Sequence, residues 1–180
     1  RQKIEQWCQL TGLSQFSLTQ FLSSERQQLQ WQSQGLPADQ LSVENAIIIT
    51  TSNQKVYVLD PSSAAITWLK NSLAEDNVEV VSASSPRFHT TFDLAVRFGK
   101  KLIIQDVDSV DAAVYPVLRG DKVQQDGRNS LRVYHVSRSA LPLTEPHIAA
   151  VLCQVNFTTS AASLTQQLVQ AALRQEKPQL

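Results

Sequence analysis

The sequence predicts a three-layer α/β domain built on a mainly parallel, five-stranded sheet. Two observations carry that prediction. Short apolar runs of strand type recur from Val56 onward, namely VYVLD, VEVVSA, KLIIQDVD, LRVYHVS and AAVLCQVNF. Between the first three of them stand segments whose apolar residues repeat at three- and four-residue spacing, the period of a helix with one buried face. Strands alternating with helices imply right-handed crossovers and a sheet covered on both sides.

Residues 1–40 differ in character from the rest of the chain, since 11 of them are Gln. Ile4, Trp7 and Cys8 recur at helical spacing before Gly12, which suits a helix stop. A second short helix is expected over Ser24 to Gln34, closed by Gly35-Leu36-Pro37. Together these form a helical lead-in. Ser42 is the expected N-cap of a helix through VENAIIITT, although Ile47, Ile48 and Ile49 are β-branched and would also suit a strand.

After VYVLD, Pro61 suits a first helical position, and Ala65, Ile66, Leu69 and Leu73 share one face. Ser85-Pro86 is expected to open the next helix, which carries Phe88, Phe92, Ala95 and Val96 and stops at Gly99. The stretch SVDAAVYPVLRG suggests a short helix interrupted at Pro116. Ser160 is expected to cap a last helix carrying Leu164, Leu168 and Ala171. The resulting division is a lead-in over 1–40, an α/β core over 41–158 and a further helix over 159–180.

Sixteen Lys and Arg balance sixteen Asp and Glu, so no net field draws the chain to nucleic acid or to an anionic membrane. No apolar run approaches the roughly 20 residues that span a bilayer, and the first residues lack a signal-peptide core. A soluble, intracellular chain is the expectation. Cys8 and Cys153 lie far apart and outside any Cys/His cluster, which makes them free thiols. The chain contains no Met and opens on Arg1, as an excerpt of a longer polypeptide would.

The turn after VYVLD raises the question of a phosphate site, because helix N-termini that come after a strand attract anions. A working loop of the form G-x-x-x-x-G-K-[ST] uses glycines to converge backbone N–H groups, a Lys to neutralise charge and a hydroxyl to reach Mg²⁺. Here the turn is Asp60-Pro61-Ser62-Ser63-Ala64-Ala65, with neither Gly nor Lys. Pro61 lacks an N–H, and the Asp60 carboxylate would repel a triphosphate. Asp60 is instead expected to be the N-cap. The sole Gly-Lys pair, Gly99-Lys100, falls between a helix and a strand, the wrong order for a phosphate cradle.

Asp106 and Asp108 stand at the end of the third strand, where an ATPase holds Mg²⁺-associated water, but Val107 rather than Glu comes after Asp106. Counted as a calcium loop from Asp106, the stretch lacks Gly at its sixth position and has Val117 at its twelfth. These are expected to be solvated carboxylates. His89, His135 and His147 form no triad pattern and are expected at or near the surface. Trp7, Trp31 and Trp68 are expected to be packing residues.

Five stretches taken together, LPADQLSVENAIII, YVLDPSSAAITWLKN, FDLAVRFGKKLIIQDVD, YPVLRGD and VNFTTSAASLTQQLVQAALRQEKPQL, resemble the fifth AAA+ module of dynein heavy chains from about Phe16 to Leu180. An aspartate-proline turn in place of the Walker A loop is characteristic of that module. Within the family, DPSS, LAVRFGK, VNFTT and EKPQL look most like the cytoplasmic type 2 branch, which serves retrograde intraflagellar transport. The resemblance implies an AAA+ large subdomain in a ring of six modules, in which ATP with Mg²⁺ is hydrolysed mainly at the first. It implies no nucleotide, catalytic residue or metal in this module.

On that resemblance, Asp60, Pro61, Ser62, Ser63, Ala64 and Ala65 occupy the Walker A position and Asp106 the Walker B position, both lacking essential groups. Val151 takes the place of an arginine finger, and no Arg occurs between Arg138 and Arg174. The implied partners are neighbouring modules of the same chain and, through the parent motor, microtubules and dynein subunits. The implied places are the cytoplasm, the cytoskeleton and the cilium. The stretch RGDKVQQDGRNSLRVYHVSRS is shorter than the family's usual insert before the fourth strand. Two alternatives stand beside this reading: an NTPase with a noncanonical loop, and an unrelated α/β interaction domain.

Overall fold

A computed structural model describes residues 2–12, 16–76, 78–107, 109–120, 131–139 and 145–159, together with 161, 164, 165, 167–169 and 172. Five strands form one sheet: β1 (Lys55–Leu59), β2 (Glu79–Ser82), β3 (Leu102–Gln105), β4 (Val133–Ser137) and β5 (Leu152–Asn156), in the order β2-β3-β4-β1-β5. Every pairing is parallel. β1 lies inside the sheet, with Val58 opposite Val136 on one side and Val155 on the other.

Side chains alternate across this sheet, and the alternation sorts the core into two layers. One face carries Tyr57, Leu59, Leu102, Ile104, Val133 and Leu152. It packs against α6 (Phe88–Phe98), α7 (Tyr115–Leu118) and α8 (Pro146–Ala149) through residues such as Phe92, Val117 and Ile148. The opposite face carries Val56, Val58, Ile103, Tyr134, Val136 and Val155. It packs against α4 (Gln40–Thr51) and α5 (Ala64–Ser72) through Ala46, Ile47, Ile49, Trp68 and Leu69. Each such aliphatic side chain, once buried, contributes about 1.5–3 kcal/mol. Helices on both faces of a parallel sheet are the three layers expected.

Three further helices precede the sheet: α1 (Gln2–Thr11), α2 (Leu18–Leu22) and α3 (Glu25–Ser33). Ser24 and Gln27 form a reciprocal capping box at the start of α3. The chain leaves that helix through Gly35, whose φ of +104° suits glycine alone. Trp31 then meets Trp68 edge to face, with ring centroids 6.2 Å apart. Asn71 of α5 donates to the Gln34 carbonyl at 2.7 Å, tying the approach segment to the sheet's helix layer.

Several local expectations need correction. α4 is the helix expected despite its three isoleucines, but its N-cap is Asp39 rather than Ser42. Pro61 lies before α5, whose cap position is Ser63. Ser85-Pro86 forms a turn ahead of α6, which starts at Phe88 with Arg87 at the cap position. Pro116 sits in the first turn of α7, where its missing N–H costs nothing, so it helps to start that helix instead of interrupting it. Helices α2 and α8, each no longer than five residues, carry too little periodicity to be legible. Ser160, Ala171 and Asp108 lie outside the described residues, as do 121–130 of the shortened stretch.

Trp7 is 63% exposed and so does not pack among the described residues, whereas Trp68 is buried. His89 and His147 are exposed. His135 is not: it lies in β4 between Tyr57 and Ile104 of the flanking strands, fully enclosed. Burial lowers its pKa from 6.5 to about 4, so the ring is neutral at pH 7. The Val56 backbone opposes that shift only in part, and neither ring nitrogen has a well-formed hydrogen bond among the described residues. Cys8 and Cys153 are both free.

Candidate functional site

In a parallel sheet of this kind, ligands are met outside the carboxyl ends of the strands, where loops and helix N-termini converge. Here the carboxyl end of β1 runs into the bend Asp60-Pro61-Ser62-Ser63 and then into α5. The Asp60 N–H donates to the Ser137 carbonyl at 2.8 Å, which seats the bend against the end of β4. The Val107 N–H donates to the Val136 carbonyl at 3.2 Å, and the buried Tyr57 hydroxyl donates to the Val107 carbonyl at 3.0 Å. The ends of β1, β3 and β4 are thereby held as one surface.

The bend is organised around the Asp60 side chain, which is 1% exposed. Its Oδ1 accepts from the Ala64 N–H and the Ser62 hydroxyl, each at 3.1 Å, and its Oδ2 accepts from the Ile66 N–H at 2.9 Å. These two amides belong to the leading turn of α5, the donors that a bound phosphate would otherwise meet. Asp60 therefore acts as a cap, from three residues before the cap position. Ser63 holds that position in a left-handed conformation, φ +61°, with no capping bond from its own side chain. Pro61 and Ser62 are exposed, Ser63 and Ala64 are half-buried, and Ala65 is buried against the sheet.

Asp106 stands after β3 with φ +54°, an uncommon conformation for a residue with a side chain. Its Oδ1 pairs with the Arg138 Nε at 3.1 Å, and its Oδ2 accepts from the Ser82 hydroxyl at 3.3 Å. Both partners of the ion pair are substantially solvated. The Asp106 carboxylate is thus solvated as expected, with a cationic partner that the sequence did not single out. Among the described residues, no group of three or more His, Cys, Asp and Glu side chains lies close enough to hold a metal ion. No described helix is long and apolar enough to cross a membrane.

Val151, at the position just before β5, is half-buried and packs against the layer that contains Ile148. Beside the bend, a cleft of about 80 Å³ is lined by Asp39, Ser42, Ser62, Ala64, Phe157 and Gln167, among others. Asp39 is the functional side chain most plainly missed from sequence. Its signal was its place three residues before Ser42, the spacing at which a cap carboxylate meets a backbone N–H.

The profile of the family described as the ATP-binding dynein motor region matches residues 29–180. The chain belongs to the dynein motor family. It is 40% identical to cytoplasmic dynein 2 heavy chain 1 of Homo sapiens over 98% of its length, and 38% identical to the protein of that name from Tripneustes gratilla over its whole length. Identity to a cytoplasmic dynein heavy chain of Dictyostelium discoideum is 30% over 92% of the chain. In each case the chain spans only 4–5% of the relative. The α/β sheet with helices on both faces agrees with an AAA+ large subdomain, the fold that the dynein resemblance implied.

Proposed function

We propose that this chain is a non-hydrolysing structural module of a dynein motor ring, in the fifth position, and that it passes conformational change between neighbouring modules. The observation that carries this reading is the Asp60 carboxylate, which already satisfies the Ala64 and Ile66 amides of α5. A triphosphate would have to displace a buried, internally bonded anion, with no Lys in the bend to offset its charge. ATP and Mg²⁺ do not fit the residues present here. At the position that the resemblance gives to Walker B, the carboxylate of Asp106 is paired with Arg138. On this reading, a family described as ATP-binding has here a member whose phosphate position is filled by its own chain.

A block with two packed layers on one sheet transmits rotation as a rigid body, because close-packed interiors deform little. On this reading ATP and Mg²⁺ act elsewhere in the parent motor, and the block's partners are adjoining modules, with microtubules reached through the whole chain. The names of the relatives at 38–40% identity support a cytoplasmic dynein 2 assignment, and with it a role in retrograde transport in the cilium. Calorimetric titration with ATP and Mg²⁺ is the test. The expected result is no saturable heat up to millimolar nucleotide, and saturable binding in that range or tighter would overturn the proposal.

A further inference from the structure

The cleft beside the bend brings together three connections that are distant in sequence. Pro37 and Asp39 approach α4, Ser62 and Ala64 lead into α5, and Phe157 to Thr159 leave β5. A fourth participant, Gln167, comes from the helical residues beyond the sheet. Asn45 of α4 donates through its Nδ2 to the Asn156 carbonyl at 2.7 Å, joining that helix to the end of β5.

Asp39 is 2% exposed, so its carboxylate must be bonded within the protein. Ser42 supplies two donors, its N–H to Oδ1 at 3.0 Å and its hydroxyl to Oδ2 at 2.9 Å. Both are local and persist wherever α4 is formed. The third donor is Gln167 Nε2, 3.2 Å from Oδ2 and 128 residues along the chain. This bond differs from the other two because it forms only when Gln167 and its helical neighbours 168 and 169 lie against the cleft.

We propose that Asp39 and Gln167 form a latch that docks helical residues 167–169 onto the core by using the capping carboxylate of α4 as its catch. The latch makes that docking a property of the chain, with no ligand required in the cleft. It also couples two movements, since a shift of Gln167 withdraws a donor from the group that organises the start of α4. The latch does not rest on the non-hydrolysing reading, because its bond lies in the cleft wall and not in the bend after β1.

Hydrogen exchange of the full chain, monitored by mass spectrometry, tests this. Gln167→Leu keeps the bulk of the side chain and removes the donor. Asp39→Ser keeps a competent N-cap but is too short to reach position 167. Each single change is expected to speed exchange of the amides of residues 167–169 about fivefold, as loss of one partly solvated bond to a charged group would. Amides of β1 and β4 should be unaffected. Gln167 makes other contacts as well, so the double variant decides: it should exchange no faster than either single one. Unchanged exchange in Gln167→Leu, or full additivity in the double variant, would overturn the latch.

Discussion

Asp60 and Asp106 are the same residue at the same kind of place, the first position after a parallel strand, yet they live in different environments. Asp60 is enclosed and bonded by two helix amides and a hydroxyl, whereas Asp106 stands in solvent beside Arg138. A carboxylate aimed at backbone donors in a dry site organises the chain around it. A carboxylate facing a flexible cation in water adds little, because solvent competes for both partners and salt screens them. The contrast separates the bend after β1 from the end of β3. One is a structural knot, the other a surface pair.

The largest effect expected from breaking this contrast is at Asp60. Asp60→Ala should cost about 3 kcal/mol, since it leaves the Ala64 and Ile66 amides without their acceptor. Urea unfolding monitored by Trp fluorescence would measure it, and a loss under about 1 kcal/mol would mean that water replaces the carboxylate freely.

The next effect lies in β4, between the two strands that carry these aspartates. His135 has a folded pKa of about 4 against 6.5 when unfolded, so the unfolded chain takes up the proton first as pH falls. Its contribution is intact above pH 6.5 and is lost toward pH 4. Stability should fall by about 2 kcal/mol between pH 7 and pH 5 from this group alone. Denaturation at a series of pH values should show that portion disappear in His135→Leu.

A smaller effect sharpens the description of the bend. Ser63 adopts φ +61°, where a side chain is strained and glycine is not. Ser63→Gly should raise stability by about 0.5–1 kcal/mol, read as a higher melting temperature. If it lowers stability, the Ser63 side chain contributes more than its missing capping bond suggests. The smallest effect belongs to the surface pair. Arg138→Ala should change stability by less than about 0.5 kcal/mol, and by less still in 1 M salt.

The α/β class, the five strands and the principal helices α4, α5 and α6 were legible because each rests on a run long enough to show a period. The anionic bend was legible in outline, since Asp60, Pro61 and the missing Gly and Lys are matters of composition at a known point. Its geometry was not. A carboxylate can cap a helix from the cap position or, where the backbone turns left-handed at Ser63, from three residues earlier, and spacing alone cannot separate these cases. The same holds for Asp39 and Ser42, two cap-type residues three positions apart.

By itself, the amino-acid order determined the alternation of strands and helices, the poverty of the bend in phosphate-binding groups, and the motifs shared with dynein heavy chains. These are local properties, carried by neighbours within a few residues. Only the folded structure decided that Arg138 meets Asp106, that Gln167 reaches Asp39 and that His135 is sealed between Tyr57 and Ile104. Such pairings depend on strand order and on which helix covers which face. They emerge when distant segments share one sheet, and no short window of sequence contains both partners.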